Sequence, residues 1–305
     1  MIRFILRRLV LAFAVFLIVV TVSFLLTRLS GDLAVSIAGP NATAEDVATV
    51  RARYGFDRPL PVQFAVWFGN LLHGDLGTSY LYREPVADLL AKRLPVTLTL
   101  GAVGLVLAVL VGVPLGIAAA VANGSVWDRL IGLVGLVGQA MPSFWLALLM
   151  MIWVGVYWQL LPISGLDDWQ GYVMPGIVLA ASSVPVLMRL TRAGMVEALA
   201  SDYVRTARAK GLSWASVLLK HALRNAAMPV VTVAAVQFGF MLGGSVVIES
   251  IFALHGMGFL AWEAISKGDF AVVQAVVLLL ATIFILLTLI ADLLNALIDP
   301  RLRIA

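Results

Sequence analysis

The chain contains no cysteine, which excludes disulfides, thiol nucleophiles and cysteine-held zinc or iron–sulfur centres and leaves its redox compartment unmarked. Charge is nearly as scarce: 12% of its 305 residues are Asp, Glu, Lys or Arg, whereas a soluble domain carries about 25%. With 62% apolar residues and a mean hydropathy of +1.01, that shortage describes a polytopic membrane protein. The net charge of +4 does not point to nucleic acid, because basic loops facing the cytoplasm give the same excess.

Chemical motifs are missing too. None of the four lysines, Lys92, Lys210, Lys220 and Lys267, follows a glycine or precedes Ser or Thr, so there is no phosphate-cradling P-loop. The three histidines, His73, His221 and His255, are scattered and form neither an H-E-x-x-H motif nor a metal-ligand cluster. No G-x-S-x-G occurs. An intramembrane enzyme therefore has no nucleophile–base or metal constellation behind it. The charged groups within or beside the spans, Arg28, Arg189, Arg192, Glu249 and Asp292, all lie near a boundary, so edge pairing or snorkelling is expected of them.

What remains is a series of apolar runs. Leu9 to about Leu29 follows Arg3, Arg7 and Arg8. A secretory signal is the alternative, but its apolar region runs to roughly 7–15 residues where a span needs about 20. The run is read as an uncleaved span with the N-terminus inside. Residues 30–95 leave the membrane as a small external cap, with helices expected at 45–54 and 62–73. Further spans are expected over Val96–Val121 (opened by Pro95), Leu130–Leu161, Val173–Leu190, Pro229–Ile251 and Phe270–Leu297. The third, interrupted by MPSF at 141–144, exceeds the roughly 30 Å of hydrocarbon and must tilt, kink at Pro142 or extend beyond the bilayer. Seven Lys and Arg fall from Arg189 to Pro229, Arg189 included, which places loop 191–228 in the cytoplasm, whereas loop 162–171 has none. The expectation is an all-α membrane protein of six transmembrane helices with both termini cytoplasmic: an N-terminal span (1–29), the cap (30–95) and a five-helix core (96–305). No internal repeat is evident. The span interiors hold neutral polar groups, Gln139, Ser143, Ser182, Ser183, Thr232, Gln237 and Ser245, each of which can be helix-packing glue or line a wet passage.

The one long polar interruption is Ser201–Pro229. Ser201 suits a helix N-cap, Asp202 the positive end of the helix dipole, Arg208 and Lys210 its negative end, and Gly211 a left-handed stop. A second helix is expected to restart at Ser213. The short helix offers little apolar surface beyond Tyr203, Val204 and its alanines, so docking on a protein fits better than resting on lipid. Ala207 and Ala209 are expected to let a partner approach closely.

The segment DYVRTARAKGLSWASVLLKHALRNAAMPVVT resembles the cytoplasmic loop of bacterial binding-protein-dependent ABC importer permeases. The likeness is to the dipeptide, oligopeptide, glutathione and nickel branch, and to the first of its two paired membrane subunits. It extends through ILRRL near the start, SGD at 30–32, GFDRPLPVQF at 55–64, GDLGTS at 74–79 and DPRLR at 299–303. Thr206, Ala207 and Gly211 match the A-A-x-x-x-G part of the general loop motif, while Arg205 in place of Glu, and the late Pro229, are traits of that branch. Where the branch has W-P-G-L-G-R, this chain has LHGMGF at 254–259.

The resemblance implies a type I ABC importer permease fold. It assigns ATPase coupling to Asp202, Tyr203, Arg205, Thr206, Ala207, Arg208, Lys210 and Gly211, and sets Asp75, His255, Gly256 and Gly258 in external loops facing a binding protein. Gln139, Ser143, Ser182, Ser183, Gln237 and Ser245 are the candidate pathway lining. Implied partners are a homologous second permease, two ATP-binding subunits and an extracytoplasmic solute-binding protein in the inner membrane system. ATP and Mg would sit on the ATPases, with no cofactor, metal or catalytic residue on this chain. Di- or oligopeptide import leads, with glutathione or a nickel chelate as alternatives. A stand-alone secondary transporter or channel is the rival of another class.

Overall fold

A computed structural model describes residues 2–29, 31–39, 41–166 and 168–298. Ser30 of SGD, Asp167 and the DPRLR segment lie outside the described residues. Among those described, the regular structure is all helical apart from an isolated bridge between Thr78 and Pro85. Helix α1 (Ile2–Leu29) leads to three short helices of the cap, α2 (Leu33–Ala38), α3 (Ala44–Tyr54) and α4 (Leu60–Leu72). Then come α5 (Val86–Val121), α6 (Val126–Ala140), α7 (Ser143–Met150, extended by a π-helical turn to Tyr157) and, after a 3-10 turn at 169–172, α8 (Val173–Leu199). The loop helix α9 (Asp202–Ala209) precedes α10 (Trp214–Ser216), which runs through a π-helical turn (Val217–Ala222) into α11 (Leu223–Ile251). Helices α12 (Met257–Lys267) and α13 (Phe270–Ile298) complete the described chain.

Five helices or continuous helical runs are long and apolar enough to cross a bilayer: Ile5–Leu29, Val86–Val121, Trp169–Leu199, Trp214–Ile251 and Phe270–Leu294. The sixth span is broken. Helices α6 and α7 meet at 96°, far more than the tilt or kink expected. The cause is local: Pro142 disfavours helical backbone at the residue before it, and Met141 is extended, with φ −75° and ψ 125°. The pair still links the two ends of the bundle. Asp128, in the first turn of α6, is bonded to Arg192 towards the end of α8, and beyond α7 the Gly165 amide donates to Phe252 O, just past α11, at 3.1 Å.

Prolines expected to open spans lie inside helices. Pro95 sits in the second quarter of α5, and Pro229 lies within the 38-residue run Trp214–Ile251. An interior proline costs about 3 kcal/mol, but each buried Leu returns roughly 1.5–3 kcal/mol. Val86, Leu89 and Leu90, all N-terminal to Pro95, bury against Met257, Leu260, Val272 and Val276. The carbonyl that Pro95 deprives of its donor belongs to exposed Ala91. Likewise α8 does not end at Leu190 but continues to Leu199, because Met195 and Ala198 pack on Ala120, Ala222 and Ala226.

Helices α5 and α8 pack closely along their length through small residues, as membrane helices do. A Cβ on Gly116 would lie 2.6 Å from Met188 O, and one on Gly176 would lie 2.6 Å from Val103 Cγ1. Helix α1 lies against α13 and is joined to it at one end by Arg8–Asp292 at 2.7 Å, the edge pairing expected of Asp292. The cap is fastened at the opposite end. Phe24 of α1 meets Phe64 edge-on and Trp67 at a tilt, both on α4, at 5.2 and 5.4 Å between ring centroids. Ser79 of GDLGTS donates to Asp269 Oδ2 at 2.5 Å, ahead of α13.

Candidate functional site

Helix α9 hangs between the C-terminal end of α8 and the helical run that leads into α11. Its stop is set by Gly211, whose φ of +79° is open to glycine at little cost. The Gly211 amide donates to Arg208 O at 2.9 Å and the Leu212 amide to Ala207 O at 3.3 Å, the paired bonds of a Schellman stop. Its start differs from expectation. Ser201 occupies the N-cap position, but its hydroxyl donates back to Ala198 O at 2.5 Å and caps nothing. The first turn is held instead by Thr206 Oγ1 donating to Asp202 O at 2.9 Å and by an Arg205–Asp202 ion pair.

The helix has an inner and an outer face. Val204 and Ala207 are buried with Val217 and partly buried Leu199 in a small core of their own. Ala207 is therefore turned towards its own chain, which corrects the expectation that it forms a surface for a partner. A helix with only two apolar positions on one side spends both on the nearest apolar wall, the π-helical turn at Val217. Asn225 Nδ2 donates to the Tyr203 hydroxyl at 2.9 Å, and the Arg208 guanidinium lies 5.1 Å from the Trp214 ring. Side chains from α8, α10 and α11 thus grip α9. Its solvent face carries Asp202, Tyr203, Arg205, Thr206, Arg208, Ala209 and Lys210, all exposed. This is a polar knob joined to two spans.

The neutral polar residues of the spans divide. Gln139, Ser143 and Ser182 are exposed, with Gln139 Oε1 accepting from Arg189 at 3.0 Å and Ser182 Oγ donating to Leu179 O at 3.1 Å. Ser183 is buried and accepts from Gln237 Nε2 at 2.9 Å, a tie between α8 and α11. Ser245 is buried and donates to Leu242 O at 2.9 Å. Ser183 and Ser245 therefore join helices or satisfy backbone within this chain, and neither faces an open passage. The open face of α11 carries Phe240, Gly243, Gly244 and Val247 instead.

The other end of the bundle departs furthest from expectation. Glu249 does not snorkel: it is 0% exposed, accepting from Thr97 Oγ1 at 2.7 Å and from the Phe259 amide at 3.0 Å. Thr97 Oγ1 in turn accepts from the Met257 amide at 2.8 Å. Gly256 and Gly258 are buried in this clamp and do not face outward. A Cβ on Gly256 would lie 2.5 Å from Glu249 Oε2, and one on Gly258 would lie 2.6 Å from Val246 Cα. Only His255, its ring 4.8 Å from that of Phe259, is exposed within that turn. Asp75 is exposed and accepts from the Gly77 amide at 2.9 Å. A charged residue at the end of an apolar run, followed by two glycines, was the available signal for the clamp. Among the described residues no group of His, Asp or Glu is arranged to hold a metal.

The comparisons extend over the whole chain. Residues 112–304 match the family described as "Binding-protein-dependent transport system inner membrane component", and residues 1–101 match the N-terminal membrane-component family of such systems. The chain is 43% identical over 304 residues to the "Glutathione transport system permease protein GsiC" of Salmonella typhimurium, covering 99% of each. It is 42% identical over 304 residues to the protein of that name from Escherichia coli K12, with the same coverage. Among solved structures, an inward-facing MetNI methionine ABC transporter superposes with a TM-score of 0.60 at 19% identity, over 69% of this chain and 96% of that one.

Proposed function

The chain belongs to the family of inner membrane components of binding-protein-dependent transport systems, a permease subunit of an ABC importer, and from that premise we propose that α9 is the surface through which ATPase subunits drive it. The observation that carries the reading is the grip on α9: its apolar side is packed onto the bundle while its polar side is presented outward. A push on the outer face is then delivered to α8 through Leu199 and to α11 through Tyr203–Asn225. The chain has no nucleotide cradle of its own, in keeping with a subunit that is moved by others.

In this reading α9 lies on the cytoplasmic side with both termini, and the cap and the Glu249 clamp lie outside. A homologous permease completes the pathway, two ATP-binding subunits carry ATP and Mg, and a solute-binding protein delivers from outside. ATP-driven closure of the ATPases moves α9 and turns the paired permeases outward; hydrolysis resets them. The cargo is a short peptide, and the names of the curated relatives make glutathione the first to test.

The test is reconstitution of the chain with its partner permease, ATPases and binding protein in proteoliposomes. ATP-dependent uptake of glutathione or a dipeptide, absent when the chain is reconstituted alone, is the expected result. Gradient-driven uptake by the chain alone would instead support the secondary-transporter reading. Competition between the two cargoes for stimulated ATPase activity decides which peptide class is carried.

A further inference from the structure

Helix α4 of the cap reads LPVQFAVWFGNLL, 13 residues without an Asp, Glu, Lys or Arg, and none of them is buried. A surface helix in water keeps a polar face outward, and one that is apolar all round is covered by something. Phe64 and Trp67 turn to Phe24 of α1. On the far side Val62, Ala65, Val66 and Leu72 are exposed, Val66 by 51% and Leu72 by 69%. At 3.6 residues per turn these four share one stripe about 120° wide, while the amides of Gln63 and Asn70 fall together along one edge. Helix α3 shows the contrast. It carries Glu45, Asp46, Arg51 and Arg53 between a capping box at Thr43 and a left-handed Gly55, and is built to stand in water. Among the described residues α4 packs extensively along no other helix.

Depth identifies the cover. The apolar run of α1 begins beyond Arg8, which pairs with Asp292 of α13 at 2.7 Å and belongs at a bilayer boundary, where charged side chains reach the headgroups. Phe24 lies only about 24 Å further along α1 at 1.5 Å per residue. That is short of the roughly 30 Å of hydrocarbon, and any tilt of α1 shortens the rise. The rings of Phe64 and Trp67, 5.2 and 5.4 Å from that of Phe24, therefore sit where acyl chains meet headgroups. At the same level α1 exposes Val22, Leu25 and Leu26, the side chains of a helix bathed in lipid. At about 20 Å long, α4 is too short to cross the bilayer itself.

We propose that α4 lies in the bilayer interface as a lipid-bound float of the cap. Its Phe64 and Trp67 side holds α1, its Val62–Val66–Leu72 stripe faces acyl chains, and its amide edge turns to headgroups and water. Apolar surface alone recruits the lipid, since α4 has no cation and the Arg58 just before it is preceded by Asp57. With Phe24 as the joint, the helix fixes the height of the cap at the membrane. Only the name of the leaflet rests on the coupling reading, in which α9 is cytoplasmic and α4 lies in the outer leaflet.

The chain has no cysteine, so single nitroxide labels on Val62→Cys, Val66→Cys and Leu72→Cys each report one position. The full-length chain is reconstituted in phosphatidylcholine vesicles, alone and with its partner permease, and accessibility to oxygen and to a nickel chelate is read by power saturation. Ala48→Cys on the exposed side of α3 is the water reference, and Ile18→Cys, 62% exposed on α1, is the lipid reference. All three stripe labels should shift towards Ile18, favouring oxygen over nickel at a depth of about 5–10 Å. Adding phosphatidylglycerol should leave that ratio unchanged. Each label replaces an exposed side chain, and a variant that does not fold leaves two others on the same stripe. Nickel access equal to that at Ala48 would overturn the proposal and leave α4 in water. Shielding from both reagents, in the chain alone or only with the partner permease, would overturn it in favour of a protein contact. Lipid-like exposure that appears only with phosphatidylglycerol would overturn its apolar basis.

Discussion

Thr97 and Glu249 meet at 2.7 Å between α5 and α11, and both are fully buried. The carboxylate lies ahead of α12 and takes the Phe259 amide from its first turn, where a helix N-terminus favours an anion. One contact thus ties three helices. Glu249→Leu leaves the Thr97 hydroxyl and the Phe259 amide without that acceptor, and at about 1–3 kcal/mol for each buried polar group left unpaired the expected loss is roughly 2–6 kcal/mol. Gly256→Ala should destabilise as well, since its Cβ would sit 2.5 Å from Glu249 Oε2. Thermal unfolding of the purified chain checks both. A Leu variant as stable as the parent would remove the clamp from the account.

Arg192 fixes the start of the broken span. Its Nε donates to Asp128 Oδ1 at 2.6 Å and its Nη2 to Asp128 Oδ2 at 2.7 Å, with a further bond from Nη2 to Asn123 Oδ1 at 3.0 Å. A lysine cannot reproduce this two-pronged geometry. Arg192→Lys should therefore behave much like Arg192→Ala in unfolding, and a double-mutant cycle with Asp128→Asn should show effects that are not additive. Additive effects would mean the pair contributes nothing of its own.

The helical nature of the chain, its apolar runs and the stop of α9 were legible because their causes are local. Gly211 stops a helix wherever it lies, through its own backbone, and 20-residue apolar runs declare themselves. The misreadings at Pro95 and Pro229 have the opposite origin. Proline's cost is visible in sequence, whereas the burial of Leu89 and Leu90 against α12 and α13 is a long-range gain. The same holds at Ala207, whose facing depends on Val217 ten residues later. Glu249 looked like a boundary residue because sequence position gives depth but not the Thr97 hydroxyl 152 residues away.

An alkaline signature is expected from the cap. Burial pushes the Tyr82 phenol up to about 12 from its ordinary 10, helped by its hydrogen bond to Glu263. An acid whose folded value is raised keeps its proton while the unfolded chain loses one, so stability falls as pH rises from about 10 to about 12. Tyr82→Phe should flatten the decline of unfolding temperature across that window. It also loses the Glu263 bond, so the variant should start lower at neutral pH and converge with the parent when alkaline. Parallel curves would rule out Tyr82 as the titrating group.

The outer face of α9 offers the sharpest test of coupling, because the chain has no cysteine to confuse it. Ala209→Cys lies on the exposed side, while Ala207→Cys lies within the small core with Val204 and Val217. The first should cross-link to a cysteine placed in the ATPase groove and block uptake until reduced. The second should react slowly, or only after the loop loosens. Substituting bulk shows the same division. Ala209→Trp should retain folding and lose substrate-stimulated ATPase activity, whereas Ala207→Trp should unseat α9 and lower thermal stability, an overpacking cost of typically 1–3 kcal/mol. If Ala207→Cys linked as readily as Ala209→Cys, the inner face of the helix would have to turn outward in the assembled transporter. The grip through Leu199 and Tyr203–Asn225 would then not be the route by which force reaches α8 and α11.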